Sequence, residues 1–247
     1  MRPTRVVIAL LLVVVAVLGV RAFRDRPTEV QAGSLVKTVT FKGARFDVVE
    51  LPLDEWDVRI SWTSDGGVQL KALDAAVRTN AGIFEPGFVP TGLLVSEGVE
   101  LRPLATREGE GNFFLQPNGV FALGPEGAII RETNEYASGH PPSRYATQSG
   151  PLLVRAGVLH PKFNPNSENR ALRSGVGVRD AKHVVLVISR DDVNLFTFAA
   201  LFRDALKCDD ALYLDGVISA LWAEGAGREA DLDKGPFAGV VTAAKRQ

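Results

Sequence analysis

A continuous apolar run late in the chain, residues 184–189, places the strongest constraint on the fold. Such a run, without alternating polar residues, is typical of a strand buried on both faces. The segment that follows, 194–206, carries apolar residues at helical spacing, and Asn194 is placed to cap it. A second apolar run, 211–214, then leads to Asp215. The order strand, helix, strand predicts a βαβ-like unit.

The second apolar run ends in a carboxylate, Asp215, which Gly216 follows directly. A strand end holds such a side chain rigidly, and a glycine lets backbone or ligand come close. Asp215 is therefore a candidate catalytic residue, with a hydroxyl nearby at Ser219. The alternative is a core strand that ends in an ordinary Asp-Gly turn.

The rest of the chain reads mainly as short strands between turns. Short strands between residues 36 and 62 predict a meander with one solvent-exposed face. Hairpins are expected at 93–101 and at 113–123, and in the second of these Asn-Gly would form the turn. Residues 68–78 carry apolar side chains near helical spacing and predict a helix. The sequence thus predicts an α+β fold, a single domain with a mostly antiparallel or mixed β-sheet and a few helices.

The amino-terminal part has the pattern of an export segment. An uncharged apolar run at 6–20 is flanked by arginines on both sides, and a polar linker with proline and glycine follows at 25–33. We expect residues 1–33 to be a signal peptide or membrane anchor with its linker, and the working domain to span 34–247. The chain would be exported, either periplasmic or anchored to the outer face of the inner membrane, and would touch the membrane only through residues 6–22.

The balance of charges excludes some partners. Lysine and arginine number 28 against 29 acidic residues, for a net charge of -1, so no global attraction draws the chain to nucleic acid. The single cysteine, Cys208, cannot form an intrachain disulfide or a thiolate cluster. It is interpreted as a small buried residue beside the strand of Asp215.

Two stretches upstream place polar side chains among glycines. Asn80 lies at the start of a loop with two glycines and two prolines. Its side-chain amide could hold a sugar hydroxyl or orient a carboxylate. The alternative role for Asn80 is a helix C-cap. Thr147, Gln148, Ser149 and Gly150 interrupt a strand, and the backbone at Gly150 can point into a cavity. No Gly-x-Ser-x-Gly elbow surrounds Ser149, which favours a binding or structural hydroxyl over a nucleophile.

Two arginines offer a local anion site. Arg170 and Arg173 precede a strand flanked by glycines, an arrangement that can hold a phosphate with two parallel hydrogen bonds. The alternative is an ordinary solvated surface.

Taken in order, five short motifs resemble the phosphodiester glycosidase family, and in particular its small exported bacterial branch. The resemblance covers about residues 36–245. The motifs are Asn-Ala-Gly-Ile-Phe at 80–84, Pro-Asn-Gly-Val-Phe at 117–121, Ala-Thr-Gln-Ser-Gly-Pro-Leu-Leu at 146–153, Asn-Arg-x-x-Arg-Ser-Gly-Val-Gly at 169–177 and Leu-Tyr-Leu-Asp-Gly-x-x-Ser at 212–219.

The chain departs from the family's pattern at two glycine-rich sites. The family commonly has Asn-Gly-Gly where this chain has Asn80-Ala81-Gly82, and Asp-Gly-Gly-Gly-Ser where Val217 and Ile218 stand here. Branched side chains at 217 and 218 close off a backbone approach that glycines would allow. We therefore expect a substrate that differs from that of the best-known members.

The resemblance implies hydrolysis of a sugar-phosphate diester, and our hypothesis is cleavage of the glycosidic C–O bond of a sugar 1-phosphodiester. Asp215 would act as nucleophile or general base, and Arg173, with Arg170, would neutralise the phosphate. Asn80 and Ser149 would join Asp215 as catalytic residues and, with Ser219, orient sugar hydroxyls. Further substrate contacts are expected from Thr147, Gln148, Gly150 and Gly216. A phosphate leaving group needs little protonation, which fits the lack of an obvious second carboxylate; Glu85 is the nearest candidate.

Two alternatives stay open at this point. The same cleft could belong to a non-catalytic envelope module that binds glycan or protein, or to a phosphodiesterase that cuts P–O. No cofactor is expected. A hard divalent cation on Asp215 and Asn80 is left open, since there is no His-rich or Asp-x-Asp spacing.

Overall fold

The computed structural model describes residues 35–226 and 228–247. The predicted export segment, residues 1–33, lies outside the described residues, so export and anchoring stay predictions. Within the described ranges, no helix has both the length and the apolar character that a membrane crossing requires.

Strands dominate the described part of the chain, and helices are short. The strands are β1 Lys37–Phe41, β2 Ala44–Pro52, β3 Trp56–Ser61, β4 Val77–Asn80, β5 Phe84–Glu85, β6 Val89–Pro90, β7 Leu94–Ser96, β8 Val99–Arg102, β9 Gly119–Gly124, β10 Gly127–Glu132, β11 Tyr145–Ser149, β12 Leu152–Arg155, β13 Val158–Leu159, β14 Ser174–Asp180, β15 His183–Ser189, β16 Asp210–Asp215, β17 Leu221–Ala223 and β18 Val240–Lys245. The α-helices are α1 Thr133–Ser138 and α2 Leu195–Ala200, which continues into a π-helical turn, Leu201–Ala205. Short 3-10 turns lie at Leu70–Ala72, Asn112–Phe114 and Glu229–Asp233.

The strands form three main sheets. A seven-stranded sheet has the order β1-β2-β15-β14-β16-β12-β13, a five-stranded sheet the order β10-β9-β11-β7-β8, and a four-stranded sheet the order β17-β4-β18-β3. Every pairing of neighbouring strands in the described ranges is antiparallel. The predicted fold class, a single domain of mostly antiparallel β-structure with few helices, is confirmed.

The seven-stranded sheet is covered on both faces. One face packs against the two smaller sheets in a core that includes Leu186 of β15 and Leu212 of β16. The other face packs against α2 and the π-helical turn, through Phe198 and Phe202. This two-sided burial explains why β15 reads as an unbroken apolar run.

The predicted strand, helix, strand unit is confirmed as β15, α2 and β16. Asn194 caps α2, since its Oδ1 accepts a hydrogen bond of 2.9 Å from the Thr197 amide. β14 lies between β15 and β16 and pairs with both in antiparallel fashion, so β15 and β16 run parallel to each other. Cys208, just before β16, is buried as expected, and burial raises the pKa of its thiol to about 12.

Residues 68–78 do not form the predicted helix. They contain the 3-10 turn at Leu70–Ala72 and then enter β4 at Val77. Val68 instead exchanges backbone hydrogen bonds with Phe237, of 2.7 and 3.0 Å, and joins an apolar cluster with Leu70 and Phe237. Tertiary pairing thus overrides a local pattern that was near helical spacing.

One predicted hairpin is confirmed and the other is wrong. β7 and β8 form the first, with Glu97 and Gly98 at positive φ in the turn. The second hairpin is absent because Asn112–Phe114 form a 3-10 turn where its first strand was predicted. The Asn118 side chain accepts a 2.7 Å hydrogen bond from Thr133 Oγ1 and donates one of 2.9 Å to the Phe113 carbonyl. β9 pairs instead with β10, across residues 125–126.

The amino-terminal meander is also wrong in its third strand. β1 and β2 pair as expected, but β2 has β15 as its other neighbour and is buried on both faces. β3 crosses to the four-stranded sheet, where it pairs with β18.

Candidate active site

The end of β16 brings a hydroxyl and a carboxylate to one cavity. Alternation along the strand turns Leu212 and Leu214 into the core between the sheets, and places Tyr213 and Asp215 on the opposite side. Burial raises the pKa of Asp215 to about 6, although its Oδ1 accepts a 2.6 Å hydrogen bond from the Gly216 amide. Within the described ranges, no lysine, arginine or histidine forms an ion pair with Asp215.

The cavity has a volume of about 540 Å³. This size falls in the range of small-molecule sites. Its walls come from the loop around β5, the 3-10 turn before β9, the segment before β14 and the end of β16. The lining residues are Ile83, Phe84, Glu85, Pro86, Thr91, Glu110, Gly111, Asn112, Phe113, Phe114, Asn169, Ala171, Arg173, Tyr213, Asp215, Gly216 and Val217.

Arg173 reaches this cavity because β14 begins where β16 ends. Ser174, the first residue of β14, pairs with Asp215 in the antiparallel ladder, so Arg173 lies at the same end of the sheet. The Arg173 side chain is buried, at 2% exposure, and held firmly. Its Nε donates to the Val193 carbonyl at 2.7 Å, and its Nη2 to the Asn169 carbonyl at 3.1 Å.

Tyr213 connects Arg173 to the strand of Asp215. Its hydroxyl accepts a hydrogen bond from Arg173 Nη1 at 3.3 Å. Burial raises the pKa of Tyr213 to about 12, against the opposing effects of Arg173 and Asn112. Tyr213 therefore stays protonated near neutral pH, and its hydroxyl keeps a proton to donate.

Gly216 is required by a close approach. A Cβ atom at this position would lie 2.8 Å from the Tyr213 hydroxyl. Gly216 therefore lacks a side chain because Tyr213 packs against its backbone.

Ser219 closes a tight turn behind the cavity. Its amide donates to the Gly216 carbonyl at 2.8 Å, and its carbonyl accepts from Lys234 Nζ at 2.9 Å. Its buried hydroxyl donates to Ser174 Oγ at 2.9 Å, which in turn hydrogen bonds to the Asn80 side chain. Asn80 Oδ1 also accepts from the Ala220 amide at 3.1 Å. Asn80 and Ser219 thus lie in the wall, outside the cavity lining.

The predicted stretch 147–150 also lies behind the cavity. Ser149 Oγ donates to the Leu214 carbonyl at 3.3 Å and is fully buried. Gln148 Oε1 accepts from the Leu93 amide at 3.1 Å and the Ala105 amide at 2.8 Å. Thr147 is buried, and Gly150 packs so closely on the Phe113 carbonyl that a Cβ there would lie 2.6 Å from it. Among these contacts, the hydrogen bond of Ser149 ties β11 to β16 next to Asp215.

Two further candidates lie at or beyond the rim. Arg170 is exposed, and its Nε donates to the Asp192 carbonyl at 3.3 Å, away from the lining residues. Glu85 lines the cavity, but its Oε1 lies 2.6 Å from Arg107 Nη2 in an ion pair. Glu85 is therefore less available as a partner for Asp215.

Sequence reasoning missed several lining residues, among them Tyr213, Asn112, Asn169 and Thr91. Tyr213 had a detectable signal, since it shares strand alternation with Asp215. Thr91 is 93% buried in the wall, with 7% exposure, and its hydroxyl has no hydrogen-bond partner within the described residues. The others come from loops, whose path the sequence does not set.

A larger cavity, of about 770 Å³, lies elsewhere in the molecule. It is lined by Leu152, Arg155 and His160, among others, and by none of the predicted site residues. The cavity at Asp215 combines a buried guanidinium with a carboxylate of raised pKa that has no ion-pair partner among the described residues, and is therefore the candidate site.

The described residues offer no cluster of three or more His, Cys, Asp or Glu side chains that could hold a metal ion. A cation shared by Asp215 and Asn80 would need Asn80 Oδ1, which already accepts hydrogen bonds from the Ser174 hydroxyl and the Ala220 amide. The site therefore has few ligands to offer a hard cation.

The chain is similar to several known proteins. A family model described as phosphodiester glycosidase matches residues 73–242. The uncharacterised protein YigE of Escherichia coli K12 is 33% identical over 146 residues, which cover 59% of this chain and 57% of YigE. The match thus spans less than two thirds of that relative.

Two solved structures share the fold. The zebrafish N-acetylglucosamine-1-phosphodiester alpha-N-acetylglucosaminidase catalytic domain, auto-inhibited by its pro-peptide, has a TM-score of 0.58 at 14% identity, covering 89% of this chain and 82% of that one. A hypothetical protein from Synechocystis has a TM-score of 0.54 at 15% identity, covering 89% and 64%.

Proposed function

The chain belongs to the phosphodiester glycosidase family, and from that premise we propose that it hydrolyses the glycosidic C–O bond of a sugar 1-phosphodiester. The products would be a free sugar and a phosphomonoester. The observation that carries the proposal is that Asp215 and the buried Arg173 line the same cavity. Asp215 is a buried carboxylate with no ion-pair partner in the described residues.

In this mechanism Arg173 binds the phosphate. Its Nε donates to the Val193 carbonyl, its Nη2 donates to both the carbonyl and the Oδ1 of Asn169, and Tyr213 accepts one of the two Nη1 protons. The second Nη1 proton is then the one available to a phosphate oxygen. A buried, prearranged cation stabilises the charge that grows on the leaving phosphate.

Asp215 acts on the anomeric carbon, as nucleophile or as the base that activates water. Its pKa of about 6 leaves it ionised at neutral pH, yet more basic than an ordinary carboxylate. Since the leaving group is already an anion, cleavage does not depend on a second carboxylate as in ordinary glycosidases.

The sugar hydroxyls would meet the polar residues of the lining, Asn112, Asn169 and Thr91. The residues predicted for this role, Asn80, Ser149 and Ser219, do not line the cavity, and we propose that they act indirectly, by holding the backbone around Asp215. Asn80 and Ser219 would hold the turn after Asp215, and Ser149 would hold the Leu214 carbonyl. Their effect would be on the position of Asp215.

The proposal is tested by turnover of methyl N-acetylglucosamine 1-phosphate diester with the wild-type chain and with Asp215→Asn. We expect the variant to lose about 100- to 10,000-fold in kcat. Near-identical circular dichroism spectra would show that the fold is kept. Undiminished turnover by a folded variant would rule out Asp215 as the catalytic group, and binding without any turnover by the wild type would indicate a glycan-binding module instead.

A further inference from the structure

Two apolar side chains lie exposed beside the candidate catalytic carboxylate. Val217 is 75% exposed and Ile218 is 47% exposed. Among the described residues, the other exposed large hydrophobic side chains, Trp62, Val99 and Val158, are isolated from each other in sequence. Scattered single residues of this kind need no explanation, but an adjacent pair at a site does. We call Val217 and Ile218 the apolar lip.

The apolar lip is held in place before any ligand binds. It occupies the two central positions of the turn closed by the Ser219 amide and the Gly216 carbonyl, at 2.8 Å. The following residue, Ser219, is fixed by its buried hydroxyl and by Lys234 Nζ, 2.9 Å from its carbonyl oxygen. A preformed surface of this kind costs little ordering on binding.

The apolar lip continues into the cavity. Val217 itself is a lining residue, together with the rings of Phe84 and Phe114. Phe84 is fixed by Phe88, with ring centroids 5.8 Å apart, and by Phe237, at 6.4 Å. The cavity therefore has polar groups around Arg173, and Val217, Phe84 and Phe114 form an apolar part of its lining beside the acidic residues Glu85 and Glu110.

We infer that the substrate carries an apolar chain on its phosphate, and that the apolar lip binds this chain; the inference rests on the proposed function. A sugar and its phosphate would satisfy the polar groups inside the cavity. The second ester group of the diester would then extend out of the cavity past its rim, where Val217 and Ile218 would cover it. Burying apolar surface of both partners there favours an alkyl or lipid alcohol over a second sugar.

The test separates binding from turnover. Octyl phosphate and methyl phosphate represent the phosphomonoester product with and without an apolar chain, and their affinities are measured by calorimetry at concentrations below micelle formation. We expect the wild-type chain to bind octyl phosphate at least about tenfold more tightly than methyl phosphate. The double variant Val217→Ser with Ile218→Ser should lose this preference and keep its affinity for methyl phosphate.

Val99→Ser is the matched control, since Val99 is also an exposed valine, at 58%, and lies outside the cavity lining. It should keep the octyl preference. Equal binding of the two phosphates by the wild type, or a preference that survives in the double variant, would overturn the inference.

Two turnover arms complete the design. Octyl and methyl esters of N-acetylglucosamine 1-phosphate should show the same preference in kcat/KM, and equal kcat/KM values for the two esters would overturn the assignment to the phosphate ester. If neither diester is cleaved, the proposed function fails. The calorimetry still decides whether the apolar lip binds an alkyl phosphate.

Discussion

Arg173 Nη1 donates a hydrogen bond to the Tyr213 hydroxyl across 3.3 Å, and Tyr213 precedes Asp215 by two residues on the same strand. This contact couples the proposed phosphate-binding group to the strand that carries the proposed catalytic carboxylate. It depends on antiparallel pairing, because β14 begins at the end of the sheet where β16 terminates.

The pH dependence of the reaction should report the raised pKa of Asp215. A nucleophile or base must be ionised, so we expect kcat/KM to rise with pH and to level off above about 6. The measurement is a pH profile with the methyl diester. A rate that falls as pH rises through 6 would assign Asp215 the role of a general acid.

The same carboxylate should lower stability at neutral pH. The folded-state pKa is raised from 3.8 to about 6, so the folded chain binds the proton more tightly than the unfolded chain between these values. The free energy of unfolding should therefore fall as pH rises through that window. Asp215→Asn removes this effect and should stabilise the fold above pH 6 by up to about 3 kcal/mol. Urea unfolding at pH 4 and pH 7 checks this, and equal differences at both pH values would contradict it.

Arg173→Lys should weaken phosphate binding although it keeps the charge. Lysine cannot reproduce the separate hydrogen bonds to the Val193 and Asn169 carbonyls. We expect at least about a tenfold loss in affinity for methyl phosphate, and a lower melting temperature. Arg170→Lys is the matched control, because Arg170 is exposed and outside the lining, and it should change neither quantity. An equal loss in both variants would show that Arg170 shares the site.

Gly216→Ala should destabilise the chain through its contact with Tyr213. The new Cβ would lie 2.8 Å from the Tyr213 hydroxyl, at a cost of about 1–3 kcal/mol. Tyr213→Phe removes that oxygen, so the same glycine substitution should cost less in the Tyr213→Phe background. A double-mutant cycle by urea unfolding measures the difference. Additive effects would show that the two residues do not touch.

The sequence anticipated the elements with strong local signals. The unit β15, α2 and β16 was predictable because its apolar runs have the lengths and periods of a buried strand and an amphipathic helix. The ordered motifs were sufficient to identify the family, and Arg173, Asp215 and Gly216 do line one cavity. Residues 68–78 were misread because Val68 and Leu70 meet Phe237, 167 or more positions away, and no local pattern contains that partner.

The rest of the candidate site could not be predicted for a related reason. Asn80, Ser149 and Ser219 belong to motifs that contain glycine, and a motif does not tell whether a side chain faces the ligand or the wall behind it. Thr91 reaches the cavity from a loop, where its amide donates to the Ile83 carbonyl at 3.3 Å, and Asn112 reaches it from a 3-10 turn. Tertiary contacts decide both questions.

The most direct test of the central claim is hydrolysis of the methyl diester in water enriched in oxygen-18, with mass spectrometry of both products. Cleavage of the glycosidic C–O bond at Asp215 predicts the label on the free sugar and none on methyl phosphate. Label on the phosphate would show that the P–O bond is cut, and would contradict the account.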